Sequence, residues 1–458
     1  MKDLKNYIDT NKDRFLRELF DLIRIPSITP GTTGHDPAKM TECAEHLKGL
    51  LEAAGVDKAE VMPLEEDAPP VVYAEKIIDP NLKTVLVYGH YDVMPTDDPK
   101  LWKSPPFEPE IRDGKIYARG ANDDKGQSFM HIKAFEFMVE TNQLPCNVKF
   151  LFEGEEEVGS THLGDWCKKH KDMLKSDVIL VSDTNMVTKD IPALTTGLRG
   201  LSYVEVKVTG PNRDLHSGLF GGAVANPANI LAKMITDLFD EDNRITIPGF
   251  YDDVIEVSQE ERDEMAKIPF DQEEYNKALG IAKEWGEKGF TTIERTGIRP
   301  SLDVNGIWSG YTDYGTKTVL PSVAQAKISM RLVPAQHPDK ISQLIKNHLE
   351  STAPEYVKVK VDILHGGRPF VSKVGTPAYE AAERAYVKVY ERKPIPTRSG
   401  GSIPIFAILD EELGAQPILM GFGLEEDAIH SPNESYALER FFKGIETIPY
   451  FYEEFCAK

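Results

Sequence analysis

The sequence predicts an α/β fold: a layered domain with a mixed sheet flanked by helices, interrupted by an inserted smaller α+β domain. Three observations carry this expectation. Strand-like apolar runs alternate with helical patterns as far as Asp183. After ALTTGLRG the pattern changes to half-exposed strands, and after HGGRPF it returns to long helix, strand and helix. The expected boundaries are therefore residues 1–197 and 368–458 for the layered domain and 198–367 for the insert.

Taken in order, Arg14 to Ile25 has apolar residues at helical spacing and stops before Pro26, which cannot continue a helix. Met40 to Ala54 carries Cys43, Leu47, Leu50 and Leu51 on one stripe, which makes Cys43 a core residue. Strand-like runs follow at VVYAEKI, TVLVYGH, KIYARG, NVKFLFEG and DVILVSD, with helical SFMHIKAFEFMVE between the third and fourth. In the insert, Leu201 to Val208 alternates as a half-exposed strand, Asn226 to Phe239 reads as an amphipathic helix, and AKISMRLVP and VKVKVDIL read as strands. Asp240 to Gly289 reads as acidic and mostly helical. The returning segment holds a helix from Thr376 to Tyr390, a Gly-rich turn at Ser399 to Gly401, a strand from Gln416 to Gly421 and a C-terminal helix.

Composition limits the function. With 41% hydrophobic and 28% charged residues among 458, the chain has the make-up of an ordinary soluble globular protein. A net charge of −21 argues against nucleic acid or an anionic membrane as the partner, since both reward clustered Lys and Arg. The four cysteines, Cys43, Cys146, Cys167 and Cys456, show no CxxC spacing, and the N-terminus has no apolar signal core. No run approaches the roughly 18 to 20 apolar residues that span a bilayer. The expectation is a cytoplasmic protein without a thiolate metal site.

The chemistry starts at the end of TVLVYGH, where a core strand gives way to His90 and Asp92. In an extended chain residues two apart face the same side, so Asp92 can reach the His90 ring. Similar ends recur: Asn122, Asp123 and Asp124 after KIYARG, Glu153 with Glu155, Glu156 and Glu157 after NVKFLF, and Asp183 after DVILV, with His430 late in the chain. That many carboxylates at the ends of neighbouring buried strands repel one another unless a cation sits among them. A solvated Glu-rich loop would account for FEGEEEVGS alone but not for the set. Imidazole with carboxylate and no thiolate fits zinc, manganese or cobalt, whereas all-oxygen Mg²⁺ or Ca²⁺ sites need no histidine. Two histidines and several acids exceed one tetrahedral ion and suit two ions sharing a carboxylate, with one acid left as general base. A serine hydrolase is disfavoured, since no GxSxG elbow is present.

The ordered set GHYDV, RGANDDKG, FEGEEEVGS, VSD, LHSGLFGGAV, KTVLPSVAQAKISMRLVP, RSGGSIPI and IHSPNE resembles the co-catalytic zinc metallopeptidases that include aminoacylase, desuccinylases and carnosinase-type dipeptidases. RITIPGF, RPSLDVNGI and the acidic insert resemble its cytosolic nonspecific dipeptidase branch. The resemblance implies two divalent ions, Zn or Mn, with His90 and Asp183 on one, Glu157 and His430 on the other, and Asp123 bridging both with a cis peptide after it. It implies Glu156 as general base and Asp92 as the residue that orients His90. A one-residue register slip in the three consecutive acids would exchange base and ligand. For the insert it implies a lid and dimerisation role: His216 as an oxyanion donor across a homodimer interface, Arg331 on the substrate C-terminal carboxylate, and Thr318 and Ser402 as smaller polar contacts. The expected activity is metal-dependent hydrolysis of short unmodified dipeptides. Its rivals are an N-acyl amino acid deacylase and a non-catalytic binding protein on the same fold.

Overall fold

The computed structural model describes residues 1–65, 67–401 and 403–457. The chain opens with helix α1 (Leu4–Ile23), whose buried Leu4, Ile8, Phe15, Leu19, Leu22 and Ile23 share one face. It begins ten residues before the expected start at Arg14, because the polar stretch before Arg14 dilutes a stripe that Leu4 and Ile8 still complete. Helix α2 (Pro37–Ala54) starts at Asp36, whose side chain accepts from Ala38 N, and ends at Gly55 with φ 96°. Cys43 is buried there as expected.

Strands β1 (Lys58–Met62), β2 (Val71–Lys76) and β3 (Thr84–His90) follow. Next come the short strands β4 (Glu110–Arg112) and β5 (Lys115–Tyr117), helix α3 (Lys125–Glu140), and strands β6 (Asn147–Glu153), β7 (Val178–Val181) and β8 (Ala193–Leu198). The second compact unit carries β9 (Gly200–Thr209), β10 (Leu215–His216), β11 (Ser301–Ser309), β12 (Val319–Leu320), β13 (Val323–Leu332) and β14 (Lys358–Gly367). Strands β15 (Phe370–Val371), β16 (Ile395–Ser399), β17 (Pro417–Leu419) and β18 (Ser435–Ala437) precede a C-terminal helix, Leu438–Cys456.

The large sheet is mixed, with strand order β1-β2-β6-β3-β7-β17-β8-β15 and β16 also on β8. Within it β3 runs parallel to β6 and β7, and β7 parallel to β17. The strands β6, β3 and β7 are buried along almost their whole length, as central parallel strands must be. Helix α3 is buried at every position from Lys125 to Met138, and it packs against α1, α2, β3 and the C-terminal helix.

KIYARG is a correction. Its strand β5 lies outside the large sheet, in a three-stranded sheet of order β18-β5-β4. Asp113 and Gly114, at φ 48° and 74°, close a two-residue hairpin between β4 and β5, the turn that Asp-Gly favours. The Asn122 to Asp124 loop is therefore brought in by α3 and not by a neighbouring strand of the large sheet. A second correction concerns 240–289, which holds only two short helices, Gln259–Met265 and Gln272–Leu279. The second of these buries no residue, and Pro248 and Pro269 interrupt the pattern.

The compact units comprise Met1–Thr196, Ser372–Thr397 and Ile405–Lys458 in one, Gly197–Val371 and Arg398–Pro404 in the other. Arg398 joins the second unit because its guanidinium pairs with Glu261, at 2.6 and 3.1 Å. That unit is built on an antiparallel sheet of order β11-β13-β9-β14. Two helices, Pro227–Thr236 and Pro338–Ser351, place Leu231, Ile341 and Ile345 in a core with Val204, Val206, Ala326 and Ile328 from the sheet.

Candidate metal centre

Because β6, β3 and β7 are adjacent and parallel, their C-terminal ends open at one edge, where loops are free to carry function. His90 closes β3, Glu156 and Glu157 form a tight helical turn after β6, and Asp183 lies two residues beyond β7. The Asp123–Asp124 peptide is cis, as the resemblance implied. His430, at φ 59°, lies in the loop before β18.

These residues converge in two overlapping groups. Ligand atoms of His90, Asp123 and Asp183 lie within 4.8 Å of one another, and so do those of Asp123, Glu157 and His430. Asp123 belongs to both: its Oδ1 is 3.1 Å from His90 Nε2, and its Oδ2 is 2.9 Å from His430 Nε2. Glu157 Oε2 is 3.0 Å from the same His430 nitrogen. Glu156 belongs to neither group; its Oε2 stands 3.9 Å from His90 Nε2.

Asp92 organises this edge. His90 Nδ1 is 3.0 Å from the Asp92 carbonyl oxygen and 3.3 Å from Oδ1; both only accept, so Nδ1 carries the proton. The Asp92 carboxylate also accepts from the backbone N–H of Glu156 and Glu157, at 3.2 and 3.1 Å. The first acid of the run points elsewhere: buried Glu155 takes His162 Nδ1 at 2.8 Å and His162 N at 3.3 Å. This orientation separates Glu155 from the other two, which the sequence could not do.

The electrostatics ask for positive charge. Burial, reinforced by the surrounding acids, pushes the carboxyls of Glu156 and Asp183 well above their ordinary range and that of Glu157 up to about 7. Burial alone would lower His430, but hydrogen bonds to Asp123 and Glu157 push it up to about 11. Burial works against ionisation of Asp123 too, yet the imidazoles of His430 and His90 beside it hold its carboxyl well below the usual range. His90 Nε2 is buried, makes no well-formed hydrogen bond and faces the carboxylates of Asp123 and Asp183. Imidazole nitrogen and carboxylate oxygen donors crowded together with a surplus of negative charge fit divalent metal ions.

Residues outside the predicted set hold the loops. Buried Glu434 bonds the Arg119 side chain and the 120–123 backbone, and buried Asp427 pairs with Arg440 and accepts from Asn122 Nδ2 at 2.9 Å. Glu434 stood in the quoted IHSPNE stretch, four residues past His430, the only signal that could have marked it. In the second unit, His216 pairs in register with Val319 and caps the helix Ser217–Phe220, with Nδ1 accepting from Gly218 N at 3.0 Å. Thr318 Oγ1 is 3.5 Å from His216 Nε2, so these two predicted residues meet. Arg331 is half-buried on β13, opposite Ser301 and Leu201, and burial lowers its pKa. Ser402 lies outside the described residues.

Comparison with known proteins places these observations in a family. The model described as "Peptidase family M20/M25/M40" matches residues 86–454. The chain is 33% identical to the Cys-Gly metallodipeptidase of Candida albicans, over 98% of this chain and 96% of that protein. It is 33% identical to the Beta-Ala-His dipeptidase of Homo sapiens, over 98% and 91%. Among solved structures, an M20 family metallo-carboxypeptidase from Sulfolobus solfataricus is similar with a TM-score of 0.86 and 35% identity, over 96% of this chain and 99% of that one. No helix among the described residues is long and apolar enough to cross a membrane.

Proposed function

The chain belongs to peptidase family M20/M25/M40, and on that premise we propose that it is a metal-dependent dipeptidase using two divalent ions, zinc or manganese, per chain. The observation that carries the two-ion reading is the carboxylate of Asp123, one oxygen toward His90 and the other toward His430. His90 and Asp183 hold one ion in this reading, Glu157 and His430 the other, and Asp123 both. When bound, such ions would polarise the scissile carbonyl and lower the pKa of a water so that it could be deprotonated into a nucleophile. Glu156, left out of both ligand groups, takes that water's proton on its carboxylate and delivers it to the leaving amine. Asp92 keeps the His90 proton on Nδ1, so that Nε2 presents its lone pair to the ligand group.

The second unit recognises the substrate ends and joins two copies. Supporting this, β11 is an edge strand of its sheet with Val304, Ile307 and Trp308 exposed, an apolar edge that a second copy would cover. His216, exposed beside Thr318, is the oxyanion donor offered to the partner subunit. Arg331 receives the substrate C-terminal carboxylate, and Thr318 and Ser402 are smaller polar contacts of the pocket; the likeness to both dipeptidases and a carboxypeptidase, as those relatives are described, supports recognition of a free C-terminus. The four unbridged cysteines support a cytoplasmic site of action.

The deciding experiment offers metal-loaded protein Ala-Ala and Cys-Gly beside N-acetyl- and N-succinyl-alanine, with a chelator control. Chelator-sensitive cleavage of the free dipeptides alone is expected. Preference for the acylated compounds would move the chain to the deacylases, and no cleavage of any would leave only a binding role.

A further inference from the structure

Glu434 is fully buried, and each of its carboxylate oxygens is used twice. Its Oε2 accepts from Arg119 Nη1 at 2.8 Å and from Gly120 N at 3.0 Å; its Oε1 accepts from Asn122 N at 2.9 Å and from Asp123 N at 3.1 Å. Its own carbonyl takes Ala118 N at 3.2 Å. Arg119, 1% exposed, neutralises the charge and adds a bond to the Pro95 carbonyl at 3.0 Å. A buried carboxylate with four donors and a guanidinium partner has one stable orientation, because any rotation leaves buried N–H groups unpaired.

The same short segment reaches the candidate site a second time. His430 lies four residues before Glu434, and Asn433 between them is tied to Lys103 N and to the Leu101 carbonyl, each at 2.8 Å. One loop thus supplies the imidazole of the His430 group and grips the backbone of the residue shared by both groups.

The geometry points to Glu434 as a positioning residue that sets Asp123 against His430 and so governs the His430-side ion more than the His90-side ion. The inference rests on the two-ion reading above. The asymmetry follows from the ligand groups: of Asp123, Glu157 and His430, two depend on the Glu434 loop, whereas of His90, Asp123 and Asp183 only one does. His90 ends β3 and Asp183 follows β7, so both are placed by the large sheet. A residue that served the fold alone would weaken both ions together or neither.

The test titrates Mn²⁺ into metal-free full-length wild type and Glu434→Gln, reading stoichiometry and the two affinities by calorimetry and spin-coupled Mn²⁺ pairs by electron paramagnetic resonance. Glutamine sets an amide N–H₂ against two backbone or guanidinium donors. Wild type is expected to take two ions; the variant is expected to keep one of them at its wild-type affinity and bind the other about 10- to 100-fold more weakly, with loss of the coupled signal. If Glu434→Gln does not fold by circular dichroism, Glu434→Asp decides, since it keeps the charge but is one methylene too short to span both donor pairs. Two ions at wild-type affinities in a folded variant, or equal weakening of both, would overturn the inference. A wild type that binds a single ion would overturn the two-ion reading and the inference with it, an outcome visible before any variant is made.

Discussion

At the scale of single residues, Asp92 holds the His90 imidazole and the backbone N–H groups of Glu156 and Glu157 at once. The proposed base therefore sits on a turn whose position is tied to a proposed ligand. Glu156→Gln removes the proton acceptor but keeps the size and the turn, so kcat is expected to fall about 10²- to 10⁴-fold with metal content unchanged. Turnover assays paired with metal analysis check this, and wild-type turnover would remove Glu156 from the role. Motif spacing brought His90, Asp92 and the acidic run into view, because each is a local feature at a strand end. It could not say which of three consecutive acids turns inward; that depends on His162 capturing Glu155 and on Asp92 pinning the next two amides.

At the scale of elements, α3 links the core to the Asp123 loop. Gly126 in its first turn is a point of close approach: a Cβ there would lie 1.9 Å from the Ala121 carbonyl oxygen, which cannot move without shifting the 121–123 loop. Gly126→Ala is expected to cost about 1–3 kcal/mol in urea unfolding and to weaken metal binding. Gly49→Ala, on α2 with nothing within 4 Å of the added Cβ, is the contrasting control and should stabilise by about 0.5–1 kcal/mol. Helix α3 also buries His131, whose Nε2 is 2.8 Å from Ser182 Oγ beside Asp183. Burial lowers the His131 pKa from 6.5 to about 3, so between those values the unfolded chain binds a proton that the folded one refuses. The stability this gives is present above pH 6.5 and drains away as pH falls toward 3, by about 2 kcal/mol at pH 5. Urea midpoints at pH 7 and pH 5 should lie closer together in His131→Gln than in wild type.

At the scale of the whole molecule, a chain of net charge −21 concentrates buried and half-buried carboxylates at one sheet edge. Metal binding is then part of its stability as well as of its chemistry. Chelation is expected to lower the unfolding midpoint, and added Zn²⁺ or Mn²⁺ to restore it in proportion to the logarithm of free ion, by about 2.7 kcal/mol at one hundred times Kd for a single site. A midpoint indifferent to chelator would contradict a metal centre built from these residues.

Across these scales, the sequence by itself determined the α/β class, the buried strands and the residue types of the site. Those properties live in composition, in periodicities of two and 3.6, and in short motifs at strand ends. The tertiary structure alone decided that β5 leaves the large sheet, that Asp123 faces both histidines and that Glu434 grips its loop. The physical reason is separation along the chain: Glu434 bonds the Asp123 amide across 311 positions, and no local pattern encodes where a side chain from so far away will point.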